Sequence, residues 1–509
     1  MSTGTAGTAG RPPADDVGPL RRTEVDGVPV VWRATPGPLS AGLVLGVGRR
    51  DEELARAGTT HLLEHLVMHE ARSRVLSTNA CVELATTEFT ATGRPDRVRD
   101  FLRKVCELLA DPPVERLALE ASVLLAEARE KGGPALLGTV HGERYGNRGA
   151  GGTAVPDPAV RSITAEDVRA WAARWAVRGN AALWLTGPVP DGLSLPLPGG
   201  GAPVVDRSEQ VLGDFPAWAA FEGAPVAVSA VVPHGTAGDL AVVVLEDRLM
   251  EELRYRRGLT YDVDVAWDRV SETERHVLVS FEVEEGQEHG AVTVLRDVLG
   301  ELAAHGPRPE ELAEHVDAWC GEPDDDVERL DALGEVQHAA ECLVLGWSSA
   351  TADRRDAEAR ALRPQDVRDV CRAVERTALV VVPEGVELDV RGLPRRPGWS
   401  PEQVTGRVFR PRWWKGTPVR ARLVVGDEGV MLDLGGDRRT TVRWDDALAL
   451  VEDDSEGFTH RLVGARGFFV PLDAGDWLGG RAALRLVQQR VPAGRQVRAD
   501  VHSERRRDG

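Results

Sequence analysis

Ser162-Ile-Thr-Ala-Glu-Asp-Val-Arg169 opens an amphipathic helix that leads into the apolar strand Ala182-Leu-Trp-Leu-Thr-Gly-Pro-Val189. About 200 residues later Ala361-Leu-Arg-Pro-Gln-Asp-Val-Arg368 leads in the same way into Ala378-Leu-Val-Val-Val-Pro-Glu-Gly385. The same cap, helix and strand in the same order make an internal repeat. Each copy starts with strands, Val30 to Trp32 and Gly42 to Val47 in the first and Val226 to Val232 in the second. Each then passes through helices and returns to a strand. That order predicts an α+β fold: two homologous units, each with helices packed on a mainly antiparallel sheet.

Two Pro/Gly-rich stretches, Leu195 to Pro203 and Arg391 to Pro411, punctuate the chain outside the repeat. They predict a disordered leader at 1–19, a first domain at 20–193, a linker at 194–210 and a second domain at 211–390. A second linker at 391–411, a module at 412–496 and a charged tail at 497–509 complete the division. Within the module, Arg420 to Leu434, Arg439 to Val451 and Thr459 to Leu472 alternate like strands between Gly- and Asp-rich turns, and Trp477 to Val491 reads as one amphipathic helix. Short strands followed by one helix resemble a pleckstrin-homology-like or GRAM-like barrel. Such a module binds proteins or lipids, or serves as a structural appendage.

At 509 residues the chain exceeds what one hydrophobic core organises. Its charged share of 28% and the lack of any long apolar run exclude a membrane span. The formal charge of −19 disfavours nucleic-acid or anionic-membrane partners, which would repel the chain at long range. Cys81, Cys106, Cys320, Cys342 and Cys371 are odd in number and never paired as CxxC. A disulfide framework and a thiolate metal site are thereby disfavoured, and a cytoplasmic location is expected.

One helix of the first domain carries chemistry. In Gly58-Thr-Thr-His61-Leu-Leu-Glu64-His65-Leu-Val-Met68 the two histidines are four apart, so both imidazoles project from one helical face and could share one metal ion. Glu64 lies on the same turn, where a carboxylate can take a proton from water. A catalytic zinc needs a third protein ligand. Glu115 to Glu130 is strongly helical, and Glu120 and Glu127 share a face, with Glu127 the candidate ligand and Glu120 the candidate partner that orients a ligating histidine.

From Val28 to about Pro383 the chain resembles the insulinase/pitrilysin family of zinc metallopeptidases, closest to its two-domain bacterial and mitochondrial-processing-peptidase branch. The segments carrying the resemblance are Val47-Gly-Arg-Arg-Asp-Glu52 before His61, Ser77-Thr-Asn79-Ala80-Cys81 with Thr87-Glu-Phe89, and Leu249-Met-Glu-Glu-Leu-Arg254 through Gly258-Leu-Thr-Tyr261. The resemblance implies one Zn2+ per chain on His61, His65 and Glu127, with Glu64 as general base and Glu120 supporting the site. It implies a substrate strand at Asn79, Ala80 and Cys81 that takes a peptide by β-augmentation, although an ordinary core strand reads equally well. It further implies that Arg254 and Tyr261 grip the substrate backbone and the reacting carbonyl.

Two features depart from the family. Its third ligand usually follows the second histidine by about 75 residues, whereas 61 lie between His65 and Glu127 here, and the shortfall falls within Leu66 to Thr78. Val82 also stands where the family has Thr. Family members close two two-domain halves as a clamshell around a chamber that admits peptides or unfolded segments. A chain holding one half is therefore expected to dimerise, as a homodimer or with a related subunit. The expected activity is zinc-dependent endopeptidase. The alternative is a noncatalytic subunit that binds peptides or acts as a scaffold through its C-terminal module.

Overall fold

The computed structural model describes residues 18–130, 135–154, 159–321, 325–414, 417–453 and 460–499. The expected leader is thus described only at Gly18 and Pro19, and the expected tail only at residues 497–499; the rest of both lies outside the described residues.

The first copy contains β1 (Arg21–Val25), β2 (Val28–Trp32), β3 (Leu39–Leu45), β4 (Ser77–Val82), β5 (Thr87–Gly93) and β6 (Ala181–Leu185), in the sheet order β1-β2-β6-β3-β5-β4. Its helices are α1 (Thr59–Ala71), α2 (Pro95–Ala110), α3 (Leu117–Glu130), α4 (Leu136–Tyr145) and α5 (Ala165–Trp175). The second copy contains β7 (Ala217–Phe221), β8 (Val226–Pro233), β9 (Asp264–Arg269), β10 (Glu274–Phe281) and β11 (Leu379–Pro383), in the order β7-β11-β8-β10-β9. Its helices are α6 (Thr236–Leu249), α7 (Glu288–His305), α8 (Pro309–Trp319), α9 (Asp325–Leu345), α10 (Ala352–Ala361) and α11 (Pro364–Thr377).

The two orders superimpose element by element once β1 is set aside. Each has a single parallel pair at the same place, β2 with β6 and β7 with β11, and all other neighbours are antiparallel. The α+β unit expected from the repeat is present twice. The quoted repeat segments are helix starts. Thr164 accepts from the Asp167 amide while the Asp167 carboxylate accepts from Thr164, and Asp366 takes the Arg363 amide ahead of Pro364. The strand expected through Val189 stops at Leu185, just ahead of Gly187-Pro188, where the proline has no N–H to donate.

Each sheet packs its own helices on one face and borrows a helix from the other copy for the second. Val336, Ala339 and Ala340 of α9 cover Val31, Val44, Ala182 and Trp184 of the first sheet. Val140 of α4, with Leu136 and Leu137, covers Ala217, Ala219, Ala227, Leu379 and Val381 of the second. Burial on both faces explains why β6 and β11 read as unbroken apolar runs. Where α4 meets the second sheet, Arg144 donates to the carbonyls of Ser229 at 3.2 Å and Thr377 at 2.8 Å. Beside it the His141 and His276 rings stack at 4.4 Å, and His141 Nε2 lies 3.8 Å from Asp268. Burial holds His141 down at about 3 and His276 well below its ordinary value, and lifts Asp268 to about 6.

The remaining strands are β12 (Gly406–Phe409), β13 (Arg422–Gly426), β14 (Gly429–Asp433), β15 (Arg439–Arg443), β16 (Ala447–Asp453), β17 (His460–Gly464), β18 (Phe469–Pro471) and β19 (Gln496–Ala499), with helix α12 (Gly480–Arg490). They form two four-stranded sheets, β12-β13-β14-β15 and β18-β17-β16-β19. Phe409, Leu423, Val430, Leu462, Trp477 and Val487 share one core. β12 lies within the stretch read as a linker, and β19 runs past the expected end of the module at 496. The module sits on the first copy: Ala449, Val451, Val463 and Val497 pack on Leu54, Ala55 and Ala159, and Asn147 Nδ2 donates to the Gly464 carbonyl at 2.9 Å. No helix among the described residues is long and apolar enough to cross a membrane.

Candidate metal centre

Helix α1 is held at its start by a residue outside it. Gly58, at φ +94°, makes the left-handed turn that a side chain would strain. The Glu52 carboxylate then accepts the amides of Gly58 at 2.7 Å and Thr60 at 2.6 Å, placing an anion where the helix dipole favours one. Leu62, Leu63, Leu66 and Val67 are buried in the core of the first copy, which fixes the rotation of the helix. The opposite side therefore presents His61, Glu64 and His65 toward α3. That helix is fixed in turn by Ala121 and Leu124 in the same core, leaving Glu120 and Glu127 to face α1.

One nitrogen each of His61 and His65 and one oxygen of Glu127 all lie within 4.8 Å of one another. Glu64 Oε2 is 3.9 Å from His61 Nε2 and 3.8 Å from His65 Nε2. His65 Nε2 lies 3.7 Å from Glu127, while its Nδ1 faces Glu120 Oε2 at 3.6 Å. A carboxylate on Nδ1 favours the proton there and leaves Nε2 free to act as a metal ligand. Glu120 is itself tied to Arg116 Nε at 3.3 Å. Burial, reinforced by Glu127 and Glu120 and opposed by His61, raises Glu64 to about 7. Burial also lowers His65, which keeps it neutral and able to bind metal. Three carboxylates and two imidazoles crowded together form a site whose negative charge a cation would offset.

Strand β4, which carries Asn79, Ala80 and Cys81, is the edge of its sheet. Opposite residues share a face, so Asn79 pairs with Thr90, Ala80 with the core residue Phe89, and Cys81 with Glu88. Burial and the nearby Glu83 and Glu88 push the Cys81 thiol up to about 12, which rules out a ready thiolate nucleophile. Residues 72–76 connect α1 to β4. Arg254 and Tyr261 are brought together, with the guanidinium 4.6 Å from the ring centre and Tyr261 80% exposed.

Two residues near the centre were not singled out in the sequence. His69, one turn beyond His65, places Nδ1 3.6 Å from Glu120; its signal is the continued four-residue spacing of histidines. Glu52 precedes the helix it caps by a turn of chain, so helical spacing gives no hint of it.

No family model matches the sequence, and no curated protein matches it. Solved structures do. A peptidase M16 inactive domain from Pseudomonas fluorescens is similar, with a TM-score of 0.60 at 16% identity over 74% of this chain and 100% of that one. A protease from Helicobacter pylori gives 0.57 at 13% identity over 72% and 100%. The first half of the periplasmic protease PqqL from Escherichia coli gives 0.57 at 13% identity over 71% and 92%. The fold is that of M16 peptidases. In this fold the candidate metal ligands come from the first copy, and Arg254 and Tyr261 come from the second.

Proposed function

We propose that the chain is a zinc-dependent endopeptidase acting on peptides or unfolded segments. The observation that carries this reading is the convergence of His61, His65 and Glu127 within 4.8 Å, with the Glu64 carboxylate beside both imidazoles. One zinc held by these three supplies Lewis acidity, drawing the pKa of a water toward ~7 and polarising a carbonyl. Glu64 accepts the proton of the attacking water at Oε2 and returns it to the leaving amine; burial raises its proton affinity and suits it to both steps. Glu120 keeps His65 in the ligating tautomer. Substrate backbone adds to the β4 edge alongside Asn79, Ala80 and Cys81.

Arg254 and Tyr261, which the second copy carries, donate hydrogen bonds to the developing oxyanion from a second chain, in a homodimer or with a related subunit. All five cysteines are free, which fits a reducing cytoplasm. The test is a quenched-peptide assay with metal analysis on the wild type and Glu64→Gln, read beside light scattering. Bound zinc and hydrolysis in the wild type, with zinc alone in the variant, are expected; full activity of Glu64→Gln rejects the mechanism. That one similar structure is an M16 inactive domain favours a second reading, a noncatalytic peptide-binding subunit, and a zinc-loaded wild-type dimer without hydrolysis would select it.

A further inference from the structure

The C-terminal module carries a charge pattern opposite to that of the chain. Among the described residues from Gly406 to Arg422 there are five arginines and no Asp or Glu, although the net charge is −19. Arg407, Arg410 and Arg420 are exposed and have no carboxylate partner among the described residues. Between them Trp413 is 80% exposed and Trp414 55%, their rings edge to face at 5.5 Å. The base beneath them is fixed. The Arg410 carbonyl accepts the Leu478 amide at 2.8 Å, and the Arg412 amide donates to Asp476 at 2.7 Å. Arg412 also donates from Nε to the Trp477 carbonyl at 3.3 Å, with its guanidinium 5.5 Å from the Trp414 ring centre.

Two neighbouring indoles left in water forgo the stabilisation that burial of large apolar side chains gives. Aromatic and arginine side chains held on a fixed base are the composition of a binding hot spot. The arginines select an anionic partner. An extended anion such as a membrane or nucleic acid would reach beyond the module and meet the acidic remainder of the molecule. A short segment ends within the ~8 Å over which charge is felt at physiological salt. We propose that this face docks a short acidic peptide segment bearing apolar side chains. The site is independent of the metal centre and of any peptidase activity.

The test measures fluorescence anisotropy of labelled peptides with the full chain, using alternating Glu/Leu and Lys/Leu sequences, in the wild type, Trp413→Ala/Trp414→Ala and Arg410→Glu/Arg420→Glu. Vesicles containing phosphatidylserine are assayed in parallel, and melting curves check that the exposed substitutions leave the fold intact. The wild type should bind the Glu/Leu peptide and not the Lys/Leu one, with salt weakening the complex. Each double variant should bind at least about tenfold more weakly, a loss of ~1.4 kcal/mol. Peptide binding that both variants retain would overturn the proposal. So would vesicle binding without peptide binding, or self-association that the arginine variant abolishes.

Discussion

Helices α1 and α6 occupy the same place in the two copies, yet of the two only α1 carries candidate metal ligands. Each begins at a glycine with positive φ, Gly58 at +94° and Gly235 at +123°, followed by a buried threonine. Counted from those glycines, the positions of His61, Glu64 and His65 are taken in α6 by Gly238, Ala241 and Val242. Ala241 and Val242 lie in the core of the second copy, and a Cβ on Gly238 would come within 2.0 Å of the Pro233 carbonyl. The scaffold therefore constrains the apolar pattern and the helix start, while the candidate metal ligands are an addition that one copy carries and the other has no room for.

The strongest way to break this comparison is Glu64→Gln. Peptide hydrolysis should fall by about 10²–10⁴-fold with bound zinc retained, as measured by a quenched-peptide assay and elemental analysis. A matching loss on substituting Ala241 by serine would deny that the copies differ in role. Next in size is the helix exchange. Val336→Asp on α9 and Val140→Asp on α4 each bury an unpaired charge against the other copy's sheet and should cost about 3–5 kcal/mol in urea unfolding. A small effect for one alone would show that the exchange is not reciprocal.

The junction between the copies gives a smaller, pH-dependent effect. His141 holds no proton in the fold until about pH 3, whereas in an unfolded chain it titrates near ~6.5. Its contribution is whole above ~6.5 and is lost as pH falls, because the unfolded state then binds a proton that the folded state refuses. Asp268 beside it works in the opposite sense below about 6, and His276, Arg144, Arg50 and Tyr145 complete its surroundings. From pH 7 to 5 the wild type should lose about 2 kcal/mol more than His141→Gln, read from unfolding curves at each pH. Smallest is the cap on α1. Glu52→Ala should cost about 0.5–2 kcal/mol and weaken zinc binding in a chelator competition, while Glu52→Gln should restore part of both. An unchanged zinc affinity would mean that the core alone positions the helix.

The repeat, the order of strands and helices and the histidine pair of α1 were legible because each rests on local periodicity and caps, whereas the pairing of α1 with α3 came from the need for a third ligand. Thr164 with Asp167, and His61 with His65, lie three or four residues apart and speak through one turn of helix. The borrowing of α4 and α9 was not legible, since an apolar helix does not reveal which sheet it covers. β12 was missed because Gly406-Arg-Val-Phe409 offers only two apolar residues, and β19 because it follows a helix that looked like an ending. The contact between Leu54 and the module joins residues some 400 apart in the sequence, for which no spacing rule exists.

The borrowed helices also set a timetable for synthesis. The six strands of the first sheet are complete once Leu185 has left the ribosome, but the face formed by Val31, Val44, Ala182 and Trp184 has no cover until α9 emerges. Through that interval the nascent chain displays an apolar strip wide enough to hold a chaperone or to aggregate. Expression at high translation rates should therefore be limited by the first half of the protein waiting for the second, and co-expressed holdases should raise the soluble yield.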